Sequence, residues 1–157
     1  MPGPALLSLL FLVQAPAAAQ GPEHFFVGRT ESTGSVSIAL SGRHTVRDRS
    51  SGRIERGNVL VINQVVEEQG KPARSRTWSL ARTADNRIVG TISDARGPVT
   101  GDVSGNVIHL RYQSAEGPSV EQWIALAPGG RFAQNRMVFR RFGVTLATVD
   151  SVIRRVD

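Results

Sequence analysis

Val107-Ile108-His109-Leu110-Arg111-Tyr112 is followed, beyond Gly117-Pro118, by Val120-Glu121-Gln122-Trp123-Ile124-Ala125-Leu126-Ala127. In the first run Ile108, Leu110 and Tyr112 oppose Val107, His109 and Arg111. In the second, Val120, Gln122, Ile124 and Leu126 oppose Glu121, Trp123, Ala125 and Ala127. A period of two with one mainly apolar face marks half-buried antiparallel strands, because successive side chains leave a pleated backbone on opposite sides. Between the runs, glycine supplies positive φ and proline presets a turn corner. The stretch reads as a hairpin.

The same pattern extends in both directions. Val36, Ile38 and Leu40 share one face, with Ser35, Ser37, Ala39 and Ser41 on the other. Turn signals recur at Ser41-Gly42, Ser51-Gly52, Gly57-Asn58, Gly70-Lys71-Pro72, Asp85-Asn86, Gly97-Pro98, Ser104-Gly105-Asn106, Gly117-Pro118 and Pro128-Gly129-Gly130. The two Ser-Gly-Arg triplets, 41–43 and 51–53, read as two similar hairpin turns. From residue 20 onward Val, Ile and Thr total 34, against 7 for Leu and Met. β-Branched side chains lose χ1 freedom in helices but pack well on a pleated surface. Val144 to Val156 has apolar residues at helical spacing, yet its Val, Thr and Ile content favours a final strand. The expected fold is all-β: a single antiparallel up-and-down barrel of about 8–10 strands, with a sandwich as the alternative. Short connections favour next-neighbour pairing, and closure removes exposed edges.

Residues 1–19 stand apart. They carry no charged side chain, and an apolar stretch from Ala5 to Val13 leads through Pro16 to Ala17-Ala18-Ala19. This is the pattern of an export signal, with cleavage expected after Ala19 and a single domain over 20–157. The expected location is outside the cytoplasm, in the periplasm. The chain of 157 residues has no Cys, which excludes disulfides, Cys-based zinc or redox sites and a thioether lipid anchor. No apolar run is long enough for a transmembrane helix. The formal charge of +6 comes from 18 Arg and one Lys, spread along the chain and interleaved with acids as in Arg47-Asp48-Arg49. Nucleic-acid binders concentrate such charge on one surface, so no nucleic-acid partner is expected. Peripheral contact with anionic lipid, or an acidic small molecule, suits the charge better.

A set of ordered fragments carries a family resemblance. Phe25-Phe26-Val27-Gly28 leads to Glu31-Ser32-Thr33-Gly34, then Arg76-Thr77-Trp78 and Gly90-Thr91-Ile92-Ser93-Asp94-Ala95-Arg96-Gly97. Gly105-Asn106, Tyr112, Glu121-Gln122-Trp123, Asn135-Arg136-Met137 and Phe142-Gly143-Val144 follow. In this order, from about Phe25 to Arg155, the chain resembles a bacterial family of exported proteins and lipoproteins known only as a domain of unknown function, DUF3833. The resemblance implies a lipocalin-like barrel and an envelope location, and it carries no activity. Many members have a lipobox Cys, absent here, and an acidic pair often precedes the second Trp, where this chain has Glu121-Gln122.

The candidate ligand-binding residues are Arg76, Trp78, His109, Arg111, Tyr112, Trp123, Asn135 and Arg136. Alternation puts Arg74, Arg76, Trp78, Leu80 and Arg82 on one face of a strand, opposite Ser75, Thr77, Ser79 and Ala81. Pointing inward, Arg76 beside Trp78 clamps a carboxylate or phosphate above an apolar body, since the guanidinium is a bidentate fork of constant charge. Pointing outward, the Arg stems lie over Trp78 and their heads are solvated. Charged residues are seldom fully buried, which favours the outward reading. Trp78, Trp123 and Tyr112 serve equally as core anchors or as pocket walls, the core role being the ordinary one.

Nothing in the pattern marks a catalyst. His24, His44 and His109 lack metal-ligand spacing, and there is no G-x-S-x-G elbow, Walker loop or G-x-G-x-x-G. Asp94 and Asp102 sit beside turns that account for them. No metal and no cofactor are expected. The leading expectation is a binding protein for a small amphipathic, lipid-like or anionic ligand. The alternatives are a structural or assembly factor of the cell envelope, and a hydrolase or isomerase with an unrecognised barrel site.

Overall fold

The computed structural model describes residues 20–157, so the export signal expected over 1–19 lies outside the described residues. A short 3-10 helix, Pro22–Phe26, precedes ten strands. These are β1 (Gly28–Ile38), β2 (Gly42–Glu55), β3 (Val59–Glu68), β4 (Arg74–Arg82) and β5 (Arg87–Ile92), then β6 (Ala95–Ser104), β7 (Val107–Ser114), β8 (Ser119–Leu126), β9 (Phe132–Arg141) and β10 (Val144–Arg155). Each pairs antiparallel with its sequence neighbour, and β1 pairs with β10, so the sheet closes into an up-and-down barrel. The hairpin read from residues 107–126 has the expected register, with Leu110 opposite Gln122 and Ile108 opposite Ile124.

Ten strands rather than eight decide the interior. Barrel diameter grows with strand number, and side chains just fill an eight-stranded barrel, so ten leave room inside. The inward rows form one main core. Ile108, Leu110 and Tyr112 of β7, Val120 and Ile124 of β8, and Ile88 and Ile92 of β5 pack with Trp78, Val99 and Ala133. A smaller cluster, Val36, Val46 and Val66, lies towards one end. That end carries the β1–β2, β3–β4, β5–β6, β7–β8 and β9–β10 hairpins and is the mouth. The other end is plugged by the 3-10 helix, which buries Phe25 and touches β2, β3 and β7.

Three local readings change. Leu40 does not continue the Val36–Ile38 face: β1 ends at Ile38, and Leu40 sits in the turn with φ 65° and its side chain fully exposed. Ser51-Gly52 is not a turn but the middle of β2, pairing with Arg29 and Gly28. Gly52 is needed there because a Cβ would collide with the carbonyl oxygen of Phe26, where the plug backbone crosses the strand. Gly97-Pro98 is likewise inside a strand, at the register shift between Arg96 and Thr100 of β6. The chain turns earlier, at Ser93-Asp94. A bulge explains why Gly and Pro occur there, since both are tolerated in strands where ladder pairing is interrupted. Residues 144–155 are strand, as their β-branched content suggested.

Candidate functional site

Between the plug and the mouth lies a cavity of about 250 Å³. Its wall is mostly apolar, from Leu60, Ile62, Leu80, Ile108 and Ile124, with Met137 and Phe139 on β9. Into this wall the strands insert a few polar side chains at positions where alternation demands an inward residue. Among them are Asp48, Gln64, Arg76, Gln122, Asn135 and Ser151. Gln64, Gln122, Asn135 and Ser151 each interrupt an apolar row, as Gln64 does between Ile62 and Val66.

The large face of β4 points inward, which overturns the outward preference. Arg74, Arg76, Trp78, Leu80 and Arg82 all line the cavity. Burial of Arg76 is tolerated because it is partnered: Nε donates to Gln64 Oε1 at 2.7 Å, and Nη1 lies 3.5 Å from Asp94 Oδ2. The Trp78 indole Nε1–H donates to the same Gln64 oxygen at 3.0 Å. The Arg76 guanidinium lies over the Trp78 ring, 5.2 Å from its centroid, a cation–π placement. Tyr112 meets Trp78 edge-on at 5.7 Å. Burial pushes the Tyr112 hydroxyl up from its ordinary pKa, against the opposing charge of Arg76 and with the added repulsion of Asp94. The phenol is therefore neutral and packs behind Trp78 in the core.

Across the barrel a relay runs Gln122 Nε2 to Asn135 Oδ1 at 2.7 Å, then Asn135 Nδ2 to Ser151 Oγ at 3.0 Å. Gln122 Oε1 has no partner although the residue is buried. Such orphaned acceptors are costly, and in native proteins they call for an explanation. Asp48, on the same cavity wall, has no cation within ion-pairing distance among the described residues. At the mouth, His44 and Lys71 converge on Glu68 Oε1 at 2.6 and 3.0 Å. Burial alone would raise the Glu68 pKa, but these two hydrogen bonds and their charges hold it below the ordinary glutamate value.

The eight candidate residues divide between two places. Arg76, Trp78 and Asn135 line the cavity, and Tyr112 backs Trp78 in the core. His109, Arg111, Trp123 and Arg136 stand on the outer wall, because they alternate with the inward residues Leu110, Gln122, Ile124 and Asn135. There His109 stacks on Trp123 at 4.8 Å, and Glu121 binds His109, Arg111 and Arg140. The three histidines are dispersed: His24 in the plug, His44 at the mouth, His109 outside. Among the described residues no group of three or more His, Asp or Glu side chains is placed to hold a metal ion. Gln64, Gln122, Ser151 and Asp48 were not singled out from the sequence. The signal available for Gln64 and Gln122 was a glutamine interrupting an apolar row.

A closed antiparallel barrel with a polar-studded cavity places the protein in the lipocalin-like class. The chain belongs to the family described as "Protein of unknown function (DUF3833)", whose model matches residues 14–155. Its fold is similar to that of the S-type phycobiliprotein lyase CPES from Guillardia theta, with a TM-score of 0.69 at 11% identity over 88% of this chain and 94% of that one. No curated protein sequence matches the chain.

Proposed function

We propose that this protein is a periplasmic carrier, exported by its N-terminal segment, for a small amphipathic ligand with an anionic group. One observation carries the reading: a nearly buried Arg76, held by Gln64 over the face of Trp78, opens into an otherwise mainly apolar cavity of about 250 Å³. An arginine has five N–H donors, of which Gln64 and Asp94 engage two, so the fork keeps donors for a carboxylate or phosphate. The apolar wall takes the ligand's body. Gln122 Oε1 and Asp48 supply acceptors for a hydroxyl or amide N–H further along it. The lipocalin-like class supports the reading, since closed β-barrels of this size hold small ligands. Arg76, Trp78 and Asn135 are the ligand-contacting residues in this proposal.

Native mass spectrometry of the protein purified from its own periplasm tests it, together with thermal unfolding in the presence of medium-chain fatty acids and phospholipids. The expected results are a co-purified small molecule and a melting temperature raised by several degrees, the size that saturation with a ligand gives a domain of this length. An empty protein that none of these ligands stabilises would leave the barrel a structural or assembly factor of the envelope.

A further inference from the structure

Four non-glycine residues of the barrel have positive φ, and they divide by end. At the plugged end they are Asn58 (φ 58°) and Asn86 (φ 62°), the residue type that tolerates the left-handed region and is common in hairpin turns. At the mouth they are Leu40 (φ 65°) and Phe142 (φ 50°). Turn chemistry favours neither of these, and neither packs: Leu40 is 108% and Phe142 97% exposed. Phe142 is followed by Gly143 at φ 76°, so the apolar ring occupies the place where such a two-residue turn ordinarily has Asn. A large apolar side chain held out at strained backbone serves something outside the fold.

The two tips belong to adjoining hairpins. β1 pairs with β10, and the Ala39 N–H bonds the Leu146 carbonyl at 2.9 Å just below them. Val144, 62% exposed, extends the apolar surface down β10. The half-buried Ile38, Phe139 and Leu146 continue it into the cavity. Cations surround the same rim. Arg43, Arg74, Arg96 and Arg141 stand at the mouth ends of β2, β4, β6 and β9, and none has a carboxylate within ion-pairing distance among the described residues. Glu116 is an acid on this rim that likewise lacks such a partner.

We infer that the mouth of the barrel docks on an anionic lipid surface, with Leu40 and Phe142 inserted among the acyl chains and the arginines on the headgroups. An apolar tip ringed by cations fits that partner: the tip gains from leaving water, and basic residues near an anionic leaflet add attraction. Docked this way, the cavity opens onto the bilayer. The rim residues form this surface whichever ligand the cavity holds.

Co-sedimentation of the purified protein with vesicles of phosphatidylglycerol and phosphatidylcholine, against phosphatidylcholine alone, is the test. Leu40→Asn with Phe142→Asn removes both tips while placing at each position a residue suited to positive φ, so the fold is retained. Val152→Thr, on the outer wall, is the control, and all variants share an unchanged N-terminal segment. Expected are binding to the anionic vesicles, little to the neutral ones, and a loss of roughly tenfold or more in the double variant at unchanged or higher melting temperature. Arg43→Gln with Arg141→Gln should weaken binding severalfold and reduce its salt dependence. Absence of binding by the wild type, or equal binding by the double variant, would overturn the inference. So would a wild-type dimer that the tip substitutions dissociate, since the tips would then serve a second copy of the chain.

Discussion

Trp78 and Gln64 are joined across the β3–β4 hairpin by an indole N–H···O bond of 3.0 Å, and the Gln64 oxygen that accepts it also accepts Arg76 Nε at 2.7 Å. One amide oxygen thus fixes both the ring and the cation that would grip a ligand. Because Gln64 has no charge of its own, the positive charge of Arg76 is offset only by Asp94 at 3.5 Å, near the mouth.

From that arrangement follows the effect of Arg76→Gln. Hydrogen bonds to charged groups contribute about 1.5–3 kcal/mol, so an anionic amphiphile should bind roughly 10- to 100-fold more weakly. A neutral analogue should be little affected. Titration with a medium-chain fatty acid and with its amide separates the two. Equal weakening of both would make Arg76 a structural residue, and Arg76→Lys should not restore affinity, because a lysine lacks the planar fork.

The two tryptophans give an independent check. Trp78 lines the cavity, whereas Trp123 is stacked on His109 on the outer wall. Ligand entry should therefore change the emission of Trp78 alone. The fluorescence response should survive in Trp123→Phe and vanish in Trp78→Phe. The latter should also lose about 1 kcal/mol of stability with its bond to Gln64, measured by urea unfolding.

Alternation alone made the all-β class, the closed meander and the inward rows of β7 and β8 legible. It could not say which face of β4 looks inward. Arg74, Arg76 and Arg82 share that face with Trp78 and Leu80, and residue-type averages for charge burial pointed the wrong way. What reverses them is Gln64, on another strand, whose pairing with Arg76 depends on register. The same limit put His109, Arg111, Trp123 and Arg136 among the candidates. Their chemistry suits a site, but their parity along the strand sends them outside. Gly52 looked like a turn for a related reason. Its demand for a missing Cβ comes from Phe26, a residue distant along the chain.

Gly52→Ala should accordingly act on the plug rather than on β2. The added methyl meets the Phe26 carbonyl, so the 3-10 helix must shift, at a cost of about 1–3 kcal/mol as for other overpacked sites. The expected readout is faster hydrogen exchange and proteolysis around Pro22–Phe26, with the strand ladder unaffected. Equal loss of protection throughout the barrel would show that the plug is integral to the global fold.

Stability should fall at both extremes of pH, for opposite reasons. Glu68 has a folded pKa below its ordinary value, since the hydrogen bonds from His44 and Lys71 outweigh burial. Below the ordinary range of about 4.3 the unfolded chain therefore binds the proton first, and this contribution declines as pH falls through the folded pKa. Tyr112 has a folded pKa above its ordinary value, mainly through burial. Above about pH 10 the unfolded chain therefore loses the proton first, and stability declines as pH rises. Between these limits neither group adds a slope. Thermal unfolding against pH should show an acid limb made shallower by Glu68→Gln and an alkaline limb made shallower by Tyr112→Phe. If Glu68→Gln left the acid limb unchanged, the His44–Glu68–Lys71 cluster would not be formed at the mouth in solution.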